Sequence, residues 1–373
     1  MSFPKIAVLG AGNGAFITAA DLSLKGFSVN ICEVPEFADN ITEIQKIGGI
    51  KLEVRGNPGI KPGFAKLNLI TTNAEEAIEG CDLILVVVPA FGQRRFAELT
   101  AKYLKSEQIV VLTPGNFCGS LEFAQVLKEK NASAKPILVE FECMIYSGFK
   151  ENSTTVWASG FKDDLKAGVF PSKYTDKAFE VLKHVYPKLG KAKNVLETGL
   201  SNLNTVLHAP ILTLNSGWTE KTEGGFLFYW DGCTPSVGHV VEEVDKERIE
   251  VGRALDLDLV PTKDVLLKWY SHQGAKGETL YEVLSTNPAY KWDDAPKTLH
   301  HRFFLEDIPY GMVPMESMGK LVGVPTTISS SIINLACTLT GKDLRRNARD
   351  LESLNLTGLS KEDISDIMIN GIL

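Results

Sequence analysis

The stretch Lys5-Ile6-Ala7-Val8-Leu9-Gly10-Ala11-Gly12-Asn13-Gly14-Ala15 decides the fold of this 373-residue chain. An apolar strand runs into glycines, and a helix-like segment, a second apolar run and an acidic residue follow in that order. This order is typical of the βαβ unit that binds a dinucleotide. Gly10 allows a tight turn, Gly12 lets the backbone approach a pyrophosphate, and Ala15 permits close packing of helix on strand. The candidate cofactor residues are Gly10, Gly12, Asn13, Gly14, Ala15 and Glu33.

Glu33 indicates which dinucleotide is bound. It follows Gly10 by 23 positions, close to the ~20 typical of the acid that hydrogen-bonds the adenosine ribose. A carboxylate there repels a 2′-phosphate, so NAD(H) is favoured, while NADP(H) stays open. The alternative for Glu33 is a solvated acid at the end of a strand.

Composition bounds the class of protein. With 44% hydrophobic and 23% charged residues the chain is typical of a globular protein, and its length suits two domains of about 100–200 residues each. The net charge of −7 argues against a nucleic-acid surface. No apolar run approaches the ~20 residues that span a bilayer. The start leaves no room for a signal peptide, and the six cysteines include no CxxC pair. We therefore expect reduced thiols, no metal site and a cytoplasmic location.

The pattern along the chain predicts two domains. Strand-like and helix-like segments alternate at first, and the apolar run 83–88 suits a strand buried in a parallel sheet. Residues 50–54 and 64–70 predict a β-hairpin insertion. Helical periodicity dominates from about Thr198, and residues 200–215 form one predicted helix. The expected fold is an α/β Rossmann-type doubly wound sheet over 1–197 followed by an all-α domain over 198–373, with the substrate cleft between them.

Three residues are candidates for chemistry on their own character. His208 lies in an apolar helix, where a histidine is more often a core residue than a catalyst. Asp307 precedes Ile308-Pro309 in what the pattern predicts to be an extended loop. If Asp307 is buried it needs a partner, for which His208 is suited; a solvated loop with an Asx-type turn is the alternative. Arg302 can clamp a carboxylate with its planar fork.

Several motifs together resemble one family, the octopine/nopaline (opine) dehydrogenases, over nearly the whole chain. Besides the glycine-rich start, the motifs that carry the resemblance are Pro114-Gly115-Asn116, Asn204-Thr205-Val206-Leu207-His208-Ala209-Pro210, Phe228-Tyr229-Trp230-Asp231-Gly232-Cys233-Thr234-Pro235 and Glu306-Asp307-Ile308-Pro309-Tyr310-Gly311. One motif departs: many members have a Pro-Tyr-Ala-Cys-Arg-like run near residues 144–150. Here the proline is absent and Lys150 stands near the arginine position, so we expect the substrate side to differ.

The resemblance implies an activity and residue roles. The family condenses the amino group of an amino acid with a 2-oxo acid, commonly pyruvate, and reduces the imine with NAD(P)H. Its catalytic histidine and aspartate correspond to His208 and Asp307, and its oxo-acid-binding arginine corresponds to Arg302. Asn116 lies where some members contact substrate.

The expected function is therefore an NAD(P)-dependent opine dehydrogenase acting on small molecules, and we expect a homodimer. Two alternatives stay open. One is an NAD-dependent hydroxy-acid dehydrogenase or ketone reductase of the same architecture, which needs no amine. The other is a non-catalytic NAD(H) sensor, which needs no proton-transfer group.

Overall fold

The computed structural model describes residues 4–56, 58–162 and 164–371. They form two compact units. The first unit contains the described residues up to Val195 together with those from Met368 onward, and the second unit is Leu196–Ile367. The segment from Met368 thus groups with the first unit, where the Asn370 carbonyl accepts a hydrogen bond from Lys173 Nζ at 3.1 Å. The division into domains 1–197 and 198–373 stays a prediction.

Strands of the described residues lie in the first unit and form two sheets. In chain order they are β1 (Ile6–Leu9), β2 (Val29–Cys32), β3 (Gly49–Val54), β4 (Gly63–Lys66), β5 (Leu69–Thr71), β6 (Leu83–Val86), β7 (Ile109–Leu112), β8 (Ile137–Phe141), β9 (Tyr146–Lys150), β10 (Thr155–Phe161), β11 (Lys166–Phe170) and β12 (Gly190–Lys191).

The larger sheet has the order β12-β11-β8-β7-β6-β1-β2-β5. From β5 to β8 all neighbours are parallel, whereas β11 pairs antiparallel with β8. Strands β1, β2, β6, β7 and β8 are buried along their whole length. This burial explains the near-continuous apolar runs in the sequence, because parallel sheets are covered on both faces.

The predicted hairpin is confirmed in part. Strands β3 and β4 pair antiparallel, but Leu69–Thr71 leaves the hairpin and joins the larger sheet beside β2. Asn68 joins the chain to the larger sheet just before β5. Its N–H donates to the Val29 carbonyl at 2.8 Å, and its Nδ2 donates to Asn30 Oδ1 at 2.7 Å. The smaller sheet, in the order β4-β3-β10-β9, also contains two strands that the sequence did not predict.

The helices account for the second unit and flank the larger sheet of the first. In chain order they are α1 (Asn13–Leu24), α2 (Asp39–Ile47), α3 (Ala74–Ile78), α4 (Ala90–Thr100), α5 (Gly119–Glu129), α6 (Thr175–Val185), α7 (Val195–Leu200), α8 (Leu203–Leu214), α9 (Ser216–Thr222), α10 (Pro235–Ala254), α11 (Thr262–Tyr270), α12 (Leu280–Thr286), α13 (Arg302–Leu305), α14 (Val313–Val322), α15 (Thr327–Thr340) and α16 (Lys361–Asn370).

The helix that carries His208 begins later than the sequence pattern predicted. The expected helix over 200–215 is divided at Asn202, whose side chain caps α8 by accepting a hydrogen bond from Asn204 N at 3.1 Å. Pro210 lies inside α8, and the helix continues through it. The predicted fold class, a Rossmann-type α/β unit followed by an all-α unit, is confirmed.

Among residues 4–56, 58–162 and 164–371, none of the helices is at once long and apolar enough to cross a bilayer. In the same ranges, no three His, Cys, Asp or Glu side chains are grouped so as to bind a metal ion. The cysteines are free thiols; all are buried except Cys337, which is partly exposed.

Candidate active site

The turn between β1 and α1 has the backbone shape of a pyrophosphate cradle. Gly10 has φ +111°, and a Cβ there would lie 2.6 Å from the carbonyl oxygen of Val87. Glycine fits such a position because it has no Cβ. A Cβ added at Gly12 meets no heavy atom within 4 Å, so the backbone faces open space there. A phosphate group can therefore approach the peptide at Gly12 closely.

The first turn of α1 supplies N–H groups for an anion. Gly12 precedes the helix, and no side chain caps the helix there. Helix N-termini bind phosphates through these N–H groups and the positive end of the helix dipole. A Cβ at Gly14 would displace the Cε end of the Met144 side chain, and Ala15 is fully buried. The cradle thus fits a dinucleotide.

Glu33 follows β2 directly and is buried, with 6% of its surface exposed. Its Oε1 accepts a hydrogen bond from the Val34 N–H at 2.8 Å, and its Oε2 accepts one from Asn40 Nδ2 at 3.3 Å. The alternative of a solvated acid at a strand end is therefore wrong. These two bonds hold the carboxylate in place, and each oxygen retains capacity to accept a further hydroxyl.

Asn116 lies in the first unit, in the turn between β7 and α5. It is buried and has a left-handed backbone with φ +53°, as has Cys118 two residues later. Non-glycine residues in this conformation are uncommon and occur often in ligand sites. Gly115 beside it is constrained as well, because a Cβ there would lie 2.5 Å from the Glu140 side chain.

His208, on α8 in the second unit, makes a hydrogen bond at each ring nitrogen. Nδ1 lies 2.6 Å from Oδ2 of Asp307, and Nε2 lies 2.7 Å from the hydroxyl oxygen of Tyr229. The exposed fraction is 6% for His208 and 2% for Asp307. Because a carboxylate accepts but cannot donate, Nδ1 carries the proton toward Asp307, and the Tyr229 hydroxyl donates to Nε2. The aspartate thereby selects one tautomer of the imidazole.

Aromatic rings hold the imidazole from several sides. The Phe303 ring stacks on it with the ring centroids 3.8 Å apart, and the Phe228 ring meets it edge-on at 6.1 Å. Tyr229 is itself stacked on Tyr290, with centroids 4.4 Å apart. This packing restricts the rotamer of His208, and the low dielectric around it strengthens its hydrogen bonds.

Asp307 lies in a helical segment, which corrects the predicted extended loop. It follows α13, and the Met312 N–H donates to its carbonyl at 3.0 Å, five residues back, so Ile308–Met312 form a π-turn. Pro309 explains the departure from a regular α-helix, because it has no N–H and its ring crowds the preceding turn. Single π-turns occur frequently at functional sites.

Gly311 lets this π-turn pack tightly on α8. A Cβ at Gly311 would collide with Oγ1 of Thr205, which lies three residues before His208 and therefore on the same face of the helix. The close approach places Asp307 at the level of His208. The pairing of these two residues, 99 positions apart in the chain, thus depends on a glycine and a proline between α13 and α14.

Arg302 begins α13, and the Nε side of its guanidinium forms an ion pair with a buried acid. Its Nε lies 3.1 Å from Oε2 of Glu306. The Glu306 side chain is 1% exposed, whereas that of Arg302 is 45% exposed. Sequence reasoning missed this pair because it treated the segment as a loop, although the i, i+4 spacing is itself a helical signal.

Two further residues near His208 escaped the sequence analysis as site residues. Tyr229 belongs to one of the motifs that carry the family resemblance, but nothing in the local pattern indicates its hydrogen bond to His208. His301 ends up near the pair: burial, helped by the charges of Arg302 and His208 and opposed by Asp307, lowers the pKa of His301 to about 4. His301 is therefore neutral near pH 7.

The chain matches known proteins over almost its whole length. Residues 191–340 match the family profile described as NAD/NADP octopine/nopaline dehydrogenase, alpha-helical domain, and residues 5–139 match that of the NAD-dependent glycerol-3-phosphate dehydrogenase N-terminus. An opine dehydrogenase from Arthrobacter sp. (strain 1C) is 36% identical over 359 residues, which cover 96% of this chain and 97% of that protein. The chain belongs to the opine dehydrogenase family.

More distant members agree in sequence and fold. Octopine dehydrogenase from Pecten maximus is 24% identical, with 91% of each chain covered. A solved octopine dehydrogenase in complex with NADH and agmatine has a TM-score of 0.77 at 21% identity, and the match covers 99% of this chain and 98% of that one. A second, in complex with NADH and L-arginine, has a TM-score of 0.76. These structures share the fold of this chain.

Family membership defines the class of reaction. The chain is an NAD(P)-dependent oxidoreductase of the opine dehydrogenase type, which condenses an amino acid with a 2-oxo acid reductively. The family, the enzyme class and the use of a nicotinamide dinucleotide, all expected from the sequence, are confirmed.

Proposed function

We propose that this enzyme joins an amino acid to pyruvate, with His208 and Asp307 transferring protons and Arg302 holding the oxo-acid carboxylate. The observation that carries the proposal is the buried contact of 2.6 Å between His208 Nδ1 and Asp307 Oδ2. Pyruvate is supported by a solved octopine dehydrogenase that was determined with NADH and pyruvate. A bare NAD(H) sensor has no use for a buried, tautomer-selected histidine, so the alternative of a sensor is disfavoured.

Proton transfer follows from the two hydrogen bonds of His208. Asp307 keeps the proton on Nδ1 and stabilises the imidazolium when Nε2 takes a proton, as the carboxylate does in a Ser-His-Asp triad. Imidazole suits both directions of transfer because its ordinary pKa lies close to neutral pH. Tyr229 is a positioning residue: its hydroxyl holds Nε2 in line until a substrate oxygen or nitrogen replaces it.

The condensation needs proton transfers at two points. Nε2 of His208 first takes a proton from the ammonium group of the amino acid. The freed amine attacks the carbonyl carbon and a C–N bond forms, while the imidazolium gives that proton to the carbonyl oxygen and Nε2 then takes a second proton from nitrogen. The same imidazole then protonates the hydroxyl as it leaves as water. A bound dinucleotide supplies the hydride that reduces the resulting imine carbon. The sum is amino acid, oxo acid, NADH and a proton giving opine, NAD⁺ and water.

Arg302 is proposed to bind the carboxylate of the oxo acid. A guanidinium binds a carboxylate through two parallel hydrogen bonds, and the ion pair with Glu306 engages only the Nε side of Arg302. Because Arg302 and Asp307 belong to one continuous helical segment, carboxylate binding and tautomer control come from the same element. Asn116 is proposed as a further substrate contact on the strained turn after β7.

The cofactor is proposed to be NADH in preference to NADPH. The buried, doubly hydrogen-bonded carboxylate of Glu33 supports this choice, because it accepts ribose hydroxyls and repels a 2′-phosphate. Glu33→Ser removes the repulsion, and we expect the ratio of NADH to NADPH affinity to fall. A ratio unchanged from wild type in fluorescence titrations contradicts the role of Glu33.

Amine-dependent NADH oxidation tests the function. The absorbance at 340 nm is followed with pyruvate, first without amine and then with a pool of amino acids. We expect oxidation only with amine, and division of the pool then names the amino acid. Oxidation without amine favours the hydroxy-acid dehydrogenase or ketone reductase alternative. If pyruvate gives no turnover, 2-oxoglutarate and oxaloacetate are tested in its place. Turnover with either one means that only the choice of oxo acid is wrong, and no turnover with any of them contradicts the reaction class.

A cytoplasmic homodimer also stays a proposal. The cytoplasmic location is supported by the free thiols of the cysteines, which are typical of reducing compartments, and the dimer by the frequency of two-fold dimers among oligomers. Light scattering of the purified chain gives the oligomeric state, and a monomer at micromolar concentration contradicts the dimer.

A further inference from the structure

Strand β9 lies along α1 and ends beside the glycine-rich turn. Its inward-facing residues alternate, as in any strand. Tyr146 donates to Asp21 near the C-terminal end of α1, a Cβ at Gly148 would lie 2.9 Å from Cδ1 of Ile17, and Lys150 reaches the N-terminal end. The direction of β9 therefore delivers Lys150 to the residues that form the pyrophosphate cradle.

Lys150 contacts this cradle at three points. Its backbone N–H donates to Oδ1 of Asn13 at 3.0 Å, and its Nζ donates to the carbonyl oxygen of Ala11 at 2.8 Å. The ammonium also lies over the ring of Phe16, 3.6 Å from the centroid. One carbonyl and one aromatic face leave part of the donor capacity of an ammonium unused, since it has three N–H groups.

The position is unfavourable for a cation in the free protein. Burial lowers the pKa of Lys150, and the charge of Glu33 opposes this only in part. Among the described residues, Lys150 forms no ion pair with a carboxylate. It also stands at the positive end of the α1 dipole, where anions are stabilised and cations are not. A half-buried ammonium in such a place is stabilised when an anion binds next to it.

We propose that Lys150 binds the pyrophosphate of the dinucleotide and acts together with the N-terminus of α1. Lys150 is then a cofactor residue and not, as the sequence suggested, a sign of a changed substrate side. The inference rests on dinucleotide binding by the family and is independent of the roles of His208, Asp307 and Arg302. It is independent of the choice between NADH and NADPH as well, because both contain the pyrophosphate.

Binding measurements on Lys150→Met test this assignment without reference to turnover. Methionine keeps the unbranched apolar stem and removes the charge. Dissociation constants are measured by fluorescence titration for NADH and NADPH, and by displacement of NADH for ADP-ribose and adenosine. Since a hydrogen bond to a charged group contributes about 1.5–3 kcal/mol, we expect the three pyrophosphate ligands to bind about 10- to 100-fold more weakly. Adenosine, which lacks phosphate, should bind as to wild type.

Two variants serve as controls. Lys150→Arg keeps the cation and should restore most of the affinity for NADH. Lys66→Met removes an exposed lysine at the end of strand β4 in the same sheet and should leave all four constants unchanged.

Three results overturn the proposal. In the first, Lys150→Met binds NADH within about twofold of wild type, the range of an ordinary surface substitution. In the second, NADPH alone is weakened, which places Lys150 on the 2′-phosphate. In the third, Lys150→Met and Lys150→Gln both lose adenosine too, which makes Lys150 a structural support of the turn. Wild type is titrated first, so that a failure of dinucleotide binding itself is seen separately.

Discussion

The two units build their sites in different ways. In the first, the cradle after β1 consists of backbone: Gly10 with its positive φ, the open space at Gly12 and the uncapped start of α1. In the second, the centre at His208 consists of side chains from α8, from the turn after α13 and from the segment between α9 and α10. Hydrogen bonds of 2.6 and 2.7 Å join them. The first site depends on the backbone conformation of a few residues, and the second depends on contacts between side chains that are distant in sequence.

This difference predicts how each site fails. A backbone cradle should tolerate most side-chain changes around it, and its affinity for the dinucleotide should fall when the cation beside the pyrophosphate is removed. A centre built from hydrogen-bonded side chains should lose turnover rate when one of them is replaced, because each side chain is positioned by its hydrogen bonds to the others. Substitutions around His208 should therefore lower turnover and leave NADH affinity intact. Lys150→Met should weaken NADH binding and leave turnover at saturating NADH unchanged.

The largest effect among the partners of His208 is expected for Asp307→Asn. An amide can donate to Nδ1 as well as accept from it, so the tautomer is no longer selected. We expect kcat to fall about 10²- to 10⁴-fold, in line with general acid–base catalysis and with the loss of tautomer control in a triad. Steady-state rates and an NADH titration give both values, and exposed Asp258→Asn is the control. A kcat near wild type contradicts a role for Asp307 in orienting His208.

A smaller effect, on affinity more than on rate, is expected for Arg302→Ala. Loss of a bidentate carboxylate contact should raise the KM for the oxo acid about 10- to 100-fold. Arg302→Lys should recover only part of this, because lysine lacks the planar fork. Exposed Arg346→Ala serves as the matched control. If the KM for the oxo acid does not move, the carboxylate is bound elsewhere.

Sequence reasoning succeeded where the structure is local. Strand, glycines, helix and terminal acid all appear in their predicted order, because each depends on residues within a few positions. It missed the contact of Tyr229 with His208 and the π-turn after Asp307. The π-turn needs Pro309 and also the packing of Gly311 on Thr205, a tertiary contact between residues 106 positions apart that no local pattern contains.

The smaller sheet was missed for the same reason. Strand β10 pairs in parallel with β3, about 100 residues earlier in the chain. Pairing at such a distance gives no signal in either segment alone. The sequence consequently placed Lys150 by motif position on the substrate side, whereas β9 carries it to the glycine-rich turn.

A modest effect is expected for Tyr229→Phe. The change removes one hydroxyl that donates to Nε2 and keeps the ring that stacks on Tyr290. A neutral hydrogen bond contributes about 0.5–1.5 kcal/mol, so kcat should fall about 2- to 12-fold. Tyr281→Phe is the control. A fall as large as that of Asp307→Asn would make Tyr229 a proton donor in its own right and contradict its assignment as a positioning residue.

The smallest expected effect is on the stability of the second unit, and it comes from the buried carboxylate of Glu316. Burial alone raises the pKa of Glu316, but hydrogen bonds from Arg345 and Ser330 and the guanidinium charge outweigh it and lower the pKa to about 2. Because this pKa is lower than in the unfolded chain, Glu316 stabilises the fold above about pH 4.5 and progressively less as the pH falls toward 2.

Thermal unfolding checks this acid dependence. Tryptophan fluorescence reports mainly on the second unit, since four of the five tryptophans follow residue 196. Wild type should lose more of its Tm between pH 5 and pH 3 than Glu316→Gln, whose side chain does not titrate. Equal losses in the two proteins contradict the contribution of the Glu316 network.

The most direct test of the division between the two units is His208→Ala, measured for turnover and for NADH affinity on the same preparation. The account predicts a kcat about 10²- to 10⁴-fold lower, with an NADH dissociation constant equal to that of wild type. Exposed His184→Ala should change neither value. Near-normal amine-dependent turnover by His208→Ala would contradict the account, because proton transfer would then not pass through this imidazole.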